Sequence, residues 1–191
     1  MNILAIKGSP KKDGTSSTIT DDLIKKIENA KNKIKTYDLN SLNIHGCQEC
    51  YSCRNNKTDK CIVNDDITEI LESAKTTDVI IVSTPVFYSD ISAQLKCFID
   101  RTWSYFGKTG TSADHLPRNR TLVFILSYGY NNPDVYNQLY EKYKHYFNLF
   151  GFNNCYLIKA YGVQYNSSNV ININEVNDLL EKVSKKINDD V

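Results

Sequence analysis

Four cysteines stand close together, Cys47-x2-Cys50-x2-Cys53-x7-Cys61, inside an irregular stretch of the chain. Short turns bring cysteines at these spacings to a common centre, and four thiolates are what a 4Fe–4S cluster needs. Zinc also takes four cysteines, but usually as two separated C-x2-C knuckles, so three closely packed cysteines favour the cubane. A zinc site, a C-x2-C redox pair and cysteines that only pack are the other readings of the same spacing. Arg54, Lys57 and Lys60 would offset part of a cluster's negative charge. Cys97 and Cys155 fall in a helix and a strand and are expected to be buried, inert thiols. His45 borders the cysteine loop and reads as a loop residue, not a ligand, and His115 and His145 carry no signal.

A second chemical signal is Gly8-Ser9-Pro10-Lys11-Lys12-Asp13-Gly14-Thr15-Ser16-Ser17-Thr18. An apolar strand pattern, Ile3-Leu4-Ala5-Ile6, precedes it and a helical pattern from about Thr15 to Ala30 follows. Strand, tight polar turn and helix N-terminus together form an anion site, because the first helical N–H groups are unpaired and carry the positive end of the dipole. The glycines let the backbone approach the anion, and the hydroxyls of Ser9, Thr15, Ser16 and Ser17 can donate to it. Neither a Walker loop nor a Gly-x-Gly-x-x-Gly fingerprint is present. Many hydroxyls and modest positive charge suit a terminal phosphate monoester better than a pyrophosphate, the alternative being a loop that only caps a helix.

These residues need a scaffold. A chain of 191 residues predicts a single domain spanning 1–191, with the cysteine-rich loop at about 39–64. The 23 basic and 22 acidic residues give no strong field for nucleic acid or an anionic membrane. No apolar run approaches the ~20 residues that span a bilayer. Met1-Asn2-Ile3 leads directly into a strand, so no signal peptide is expected and a cytoplasmic location is. In that compartment six cysteines are read as reduced, metal-bound or redox-active.

Ile19, Leu23, Ile24 and Ile27 recur at helical spacing, and Lys33–Asp38 alternates as a short strand near a sheet edge. Asp65-Asp66 with Glu69 predicts a capping box opening a helix through about Lys75. Asp78–Ser83 and Thr121–Leu126 are near-continuous apolar runs of strands buried on both faces. A helix is expected from about Ile91 to Phe106, a tyrosine-rich helix carries Tyr136, Tyr140, Tyr143, Phe147 and Phe150 as core or subunit contact, and Cys155–Ala160 is a fifth strand. Val176, Leu179, Leu180, Val183 and Ile187 mark the closing helix. Five strands alternating with five helices predict an α/β, doubly wound five-stranded parallel sheet. Ligands of such sheets bind at the carboxyl ends of the strands, where the Ser9, Pro85, Gly129 and cysteine loops are all expected.

Pro85-Val86-Phe87-Tyr88 is poor in charge and suits the face and rim of a flat ring, with Tyr88 the candidate polar group beside it. A phosphate pocket about one ribityl length from an apolar slot describes flavin mononucleotide. With Gly8-Ser9-Pro10-Lys11…Gly14-Thr15, the four cysteines ahead of Asp65-Asp66, and Thr84-Pro85-Val86-Phe87-Tyr88…Gln94-Leu95-Lys96…Phe98-Ile99-Asp100-Arg101, the chain resembles the NADPH-dependent FMN reductase family, in its iron–sulfur flavoprotein branch. The resemblance implies a flavodoxin-like fold with strand order 2-1-3-4-5, bound FMN, NAD(P)H as co-substrate and a homodimer or homotetramer in which one protomer's cysteine loop can serve another's flavin. It places the phosphate on Ser9, Lys11, Gly14, Thr15, Ser16 and Ser17, and the ribityl chain and ring on Pro85, Val86, Phe87 and Tyr88. By the same resemblance Ser127 and Gly129 loosely match a third flavin-contacting loop and Cys47, Cys50, Cys53 and Cys61 would be the 4Fe–4S ligands, while Asp100-Arg101 is read as structural, closing its helix.

The expected function is an FMN-dependent oxidoreductase, a flavin or quinone-type reductase or an iron–sulfur flavoprotein. It would pass electrons from NAD(P)H or a ferredoxin-like donor to a small-molecule or protein acceptor, with no side chain required as acid or base. The rival is a flavodoxin-type electron carrier without enzymatic activity, against which the near-zero net charge and the cysteine loop argue. A phosphoacceptor receiver domain of similar topology is discarded, because Gly8-Ser9 and Thr84-Pro85 stand where it needs acidic residues.

Overall fold

The structure, a computed structural model, describes residues 1–110, 113–163, 170 and 172–189. In chain order the elements are β1 (Asn2–Lys7), α1 (Thr15–Ile27), β2 (Lys33–Asp38), α2 (Ser52–Asn55), α3 (Ile67–Thr76), β3 (Val79–Phe87), β4 (Asp90–Ile91), α4 (Ala93–Arg101), β5 (Arg120–Ser127), α5 (Asn137–Leu149), β6 (Phe152–Ala160) and α6 (Ile173–Asp189). Five strands pair in parallel in the order β2-β1-β3-β5-β6. This is the expected doubly wound order, with one addition: the two-residue β4 pairs antiparallel with the end of β3.

The apolar strand runs hide a period of two. Ile3, Ala5, Val79, Ile81, Val123 and Ile125 face the layer of α1 and α6, where Ile19, Leu23, Val176 and Val183 meet them. Leu4, Ile6, Ile80, Val82, Leu122 and Phe124 face the opposite layer, filled by Ile70, Leu95, Phe98, Tyr143 and Phe147. Both faces are covered, so both sets of positions are apolar. The tyrosine-rich stripe is core, as expected: Phe124 lies against the rings of Tyr140, Tyr143 and Phe147.

Three local expectations change. The Pro85 segment is not a loop, because β3 continues through Phe87 and folds back at Tyr88 and Ser89, whose φ angles are 48° and 62°. Ile91 is thereby drawn into a pair with Val86, and the following helix starts only at Ala93, capped by Ser92, whose Oγ accepts from the Leu95 amide (3.3 Å). That helix ends at Arg101 and tightens into a 3-10 turn over Thr102–Phe106. The capping box closes on Thr68 in place of Glu69: Asp65 Oδ1 accepts from the Ile67 amide (3.1 Å) and Thr68 Oγ1 from the Asp65 amide (3.3 Å). Glu69 instead accepts from the Tyr37 hydroxyl (2.6 Å), while Asp66 takes the Asn43 amide (2.7 Å).

Ser92 also ties α4 to the turn after β1, donating to the Gly8 carbonyl (2.6 Å) while its own amide donates to Thr84 Oγ1 (3.0 Å). Gly8 therefore serves packing: a Cβ there would lie 2.8 Å from Leu95 Cβ and 2.9 Å from Ser92 Oγ. Both neighbours are buried and cannot retreat. Gly8→Ala should cost about 1–3 kcal/mol of stability through overpacking, read as a lower urea midpoint at unchanged slope.

Candidate functional site

The turn after β1, the end of β3 and the segment after β5 border one cleft of about 740 Å³. Ser9, Lys11, Gly14 and Thr15 follow β1, Pro85, Val86 and Phe87 end the neighbouring β3, and Ser127 and Gly129 lie at the end of β5 on its other side. Within the turn, Ser9 Oγ accepts from the Lys11 amide (3.1 Å), and Gly14 leaves the space that Ser9 Oγ occupies, since a Cβ there would lie only 2.5 Å away. The first helical bond of α1 runs from the Thr18 amide to the Gly14 carbonyl (2.9 Å), so the amides of Thr15, Ser16 and Ser17 lie ahead of the ladder. Ser16 and Ser17 do not line the cleft; they are buried, and Ser16 Oγ has no partner among the described residues. Asn40 and Gln94 brace the turn from outside: Asn40 Nδ2 donates to the Pro10 carbonyl and Gln94 Nε2 to Asn40 Oδ1, each at 3.0 Å.

Tyr88 departs from its expected place. It stands at the tip of the β3–β4 hairpin, fully exposed, and is not among the residues that border the cleft. The cleft adds Asp13, Thr18, Asp22, Tyr128, Val163 and Ile173, which sequence reasoning gave no role. Tyr128 follows β5 directly, and burial, with the charge of Tyr161 nearby, pushes its phenol up to about 12, so it stays protonated at neutral pH. Val163 follows β6 at the same sheet edge, a position that the carboxyl-end rule for parallel sheets points to.

The cysteine loop takes a different position from the one expected. Among the described residues, the cleft walls hold none of the four cysteines. Cys47, Cys50, Cys53 and Cys61 line a separate small concavity at the far end of α4, together with Asp100, Arg101, Trp103 and Ser104. The cause is Asp65, whose carboxylate pairs with Arg101, both side chains being at most 1 % exposed. Arg101 Nη2 also donates to the Val63 carbonyl (2.6 Å), and the His45 amide donates to Asp65 Oδ2 (2.8 Å). Arg101 is thus structural, as expected, but it closes the cysteine loop more than its own helix. Gly107 sits beneath that loop, where a Cβ would fall 2.0 Å from the Thr58 carbonyl and 2.5 Å from that of Cys53. Arg54 lies 4.7 Å above the Trp103 ring and donates to the carbonyls of Phe106 and Gly110.

All four thiols are free, Cys47 and Cys50 exposed and Cys53 and Cys61 half-buried. Hydrogen bonds from Ser52 hold the Cys50 thiol below its ordinary range, whereas burial, then the charge of Cys61, pushes Cys53 up. Cys97 and Cys155 are half-buried, each with its thiol pushed up by burial. Among the described residues no three His, Cys, Asp or Glu side chains converge as ligands of a single metal ion. The donor set nonetheless fits an iron–sulfur cluster, which takes its thiolates on different irons. Two residues that line the concavity also keep unpartnered buried donors, Ser104 Oγ and Arg101 Nε.

A doubly wound parallel sheet carrying a ligand cleft at its carboxyl edge defines the class, an α/β protein of flavodoxin-like topology. Residues 1–149 match the NADPH-dependent FMN reductase family, and the chain belongs to it. It is 32% identical over 105 residues to an iron–sulfur flavoprotein of Archaeoglobus fulgidus, covering 55% of this chain and 47% of that one. It is 35% identical over 104 residues to an iron–sulfur flavoprotein of Clostridioides difficile, covering 53% of this chain and 45% of that one. The chain therefore spans about half the length of the curated relatives it matches. Among solved structures, the NAD(P)H:quinone oxidoreductase from Methanothermobacter marburgensis shares the fold at a TM-score of 0.71 and 17% identity, with 98% of this chain and 94% of that one covered. An FMN-dependent NADH-azoreductase from Bacillus anthracis, solved in complex with FMN, does so at 0.66 and 14%, with 97% of each chain covered. No helix among the described residues is long and apolar enough to cross a membrane.

Asp65 gives a test of what holds the cysteine loop. Burial works to raise its carboxyl, but hydrogen bonds from Arg101 and the His45 amide, with the Arg101 charge, hold it below the usual range. A depressed folded pKa contributes stability that is complete above the unfolded value of about 3.9 and lost as pH falls through the folded one. Asp65→Asn should cost about 3–5 kcal/mol at pH 7 by leaving Arg101 uncompensated. The gap to the wild type should narrow as unfolding is followed downward from pH 4.

Proposed function

We propose that the chain is an FMN-dependent oxidoreductase that takes electrons from NAD(P)H or a ferredoxin-like donor and gives them to a small-molecule or protein acceptor. The observation that carries this reading is one cleft bordered both by the glycine- and hydroxyl-bearing turn that opens α1 and by the uncharged end of β3. Membership of the FMN reductase family supports it. FMN, when bound, supplies the exchange between two-electron hydride chemistry and one-electron transfer.

In this reading the amides of Thr15, Ser16 and Ser17 at the start of α1 meet the phosphate, helped by the hydroxyls of Ser9 and Thr15 and by the Lys11 ammonium. Ser16 Oγ, unpartnered among the described residues, is a further donor. Pro85, Val86 and Phe87 line the ring slot, with Ser127 and Gly129 closing its other edge. Tyr88, fully exposed at the hairpin tip, stands outside that slot. Cys47, Cys50, Cys53 and Cys61 would hold a 4Fe–4S cluster, which supplies one-electron transfer. Because the cysteine concavity lies away from the cleft of its own chain, a homodimer or homotetramer that brings one protomer's cysteines to another's cleft fits this arrangement. A cytoplasmic location accords with thiols kept reduced.

The test is the visible spectrum of protein purified without oxygen, with flavin, iron and sulfide assayed on the same sample. FMN with about four irons per chain and sustained NAD(P)H oxidation with a quinone or azo dye is the expected result. Flavin without iron would remove the cluster, and flavin that is reduced once without turnover would make the chain a carrier. Absence of flavin even after FMN is added would overturn the reading. Ser9→Ala with Thr15→Ala should weaken FMN binding by about 1.5–3 kcal/mol per lost bond to the phosphate, measured by flavin fluorescence titration. Tyr88→Ala should leave FMN affinity unchanged.

A further inference from the structure

The cysteine concavity has polar walls as well as thiols. Gln48 Nε2 is spent on the Gly46 carbonyl (3.0 Å), the Tyr51 hydroxyl on Glu49 (3.1 Å) and Asp100 on Lys96. Two buried groups on residues that line the concavity are not spent among the described residues: Ser104 Oγ, on a residue 3 % exposed, and Nε of Arg101, 1 % exposed. Arg101 uses its other two nitrogens on Asp65, Val63 and His45, so only Nε remains. A guanidinium Nε–H can only donate, and a serine hydroxyl can turn its proton toward an acceptor. Native interiors leave few such donors without a partner; of the five buried groups in this state among the described residues, only those of Ser104 and Arg101 belong to residues that line the cysteine concavity. The other material of this wall is sulfur, a weak acceptor as a thiol and a good one as a thiolate or cluster sulfide.

Resting on the reading of Cys47, Cys50, Cys53 and Cys61 as cluster ligands, we propose that Ser104 Oγ–H and Arg101 Nε–H donate hydrogen bonds to the sulfurs of that cluster and raise its reduction potential. The reduced cluster carries one more negative charge than the oxidised one, so a donor aimed at its sulfur stabilises the reduced form more. The two donors have different duties. Arg101 also holds the loop through Asp65, so its removal would confound packing with tuning. Ser104 has no such second bond from its side chain, and its hydroxyl can be deleted with little change of volume.

The experiment is a potentiometric titration, followed by electron paramagnetic resonance, of the full chain reconstituted anaerobically with iron, sulfide and FMN. Wild type, Ser104→Ala and Ser104→Thr are compared, with iron and FMN content measured for each. At equal iron and flavin content, Ser104→Ala should lower the reduced-to-oxidised ratio at a fixed potential about tenfold, a shift of about 59 mV for one electron. Ser104→Thr, which keeps the hydroxyl, should restore the wild-type midpoint. Clusters present in all three proteins with coincident midpoints would overturn the proposal while leaving the cluster standing. Failure of the wild type to retain iron, with FMN still bound, would remove the cluster reading and this proposal with it.

Discussion

The Asp65–Arg101 ion pair is the constraint on which the arrangement of this molecule depends. The stretch from Asn43 to Asn64 has little core of its own, with only Ile44 and Cys61 partly packed against the main cluster. Its position is set instead by one guanidinium that collects a carboxylate and the carbonyls of Val63 and His45. A buried pair of this kind gains little over an apolar substitute, but losing either member leaves a charge with no compensation. Its value here is geometric: it brings both ends of the cysteine stretch to the last residue of α4. Gly107 completes the seat, because any larger residue would occupy the space of the Cys53 and Thr58 backbone.

Much of the fold was legible because parallel strands buried on both faces have only one kind of sequence. Val79–Val82 and Leu122–Leu126 are apolar at every position, and the helices between them repeat at a helical period. The boundaries were less legible where tertiary bonds outweigh local ones. Asp65 keeps the helix-cap bond that its spacing announces, from the Ile67 amide, but its charge also answers a residue 36 positions away, which no local pattern reveals. The extension of β3 through Phe87 was hidden by Pro85, whose carbonyl accepts from Thr84 Oγ1 (2.7 Å) while Val86 and Phe87 find antiparallel partners in Ile91 and Asp90.

The candidate site divides the same way. Ser9, Lys11, Gly14, Thr15, Pro85, Val86, Phe87, Ser127 and Gly129 come together in one cleft because topology alone carries three strand ends to one edge. Spacing could not place the cysteines, since a loop of that length leaves a strand end in any direction. Nor could it show that Tyr88 turns outward, which follows from the left-handed conformations of Tyr88 and Ser89 at the hairpin tip.

Helix α4 begins at a serine bonded to the Gly8 carbonyl and ends at the arginine that holds the cysteine loop. Its 9 residues make a strut of about 13.5 Å. Separation and orientation between the two regions are therefore counted in residues. An added or deleted residue would turn one end against the other by about 100° and slide it by about 1.5 Å, breaking either the Ser92 anchor or the Arg101 seat. Partly exposed positions such as Lys96 can vary without moving either end, whereas Leu95, Phe98, Ile99 and Arg101 are buried and the helix length must stay constant.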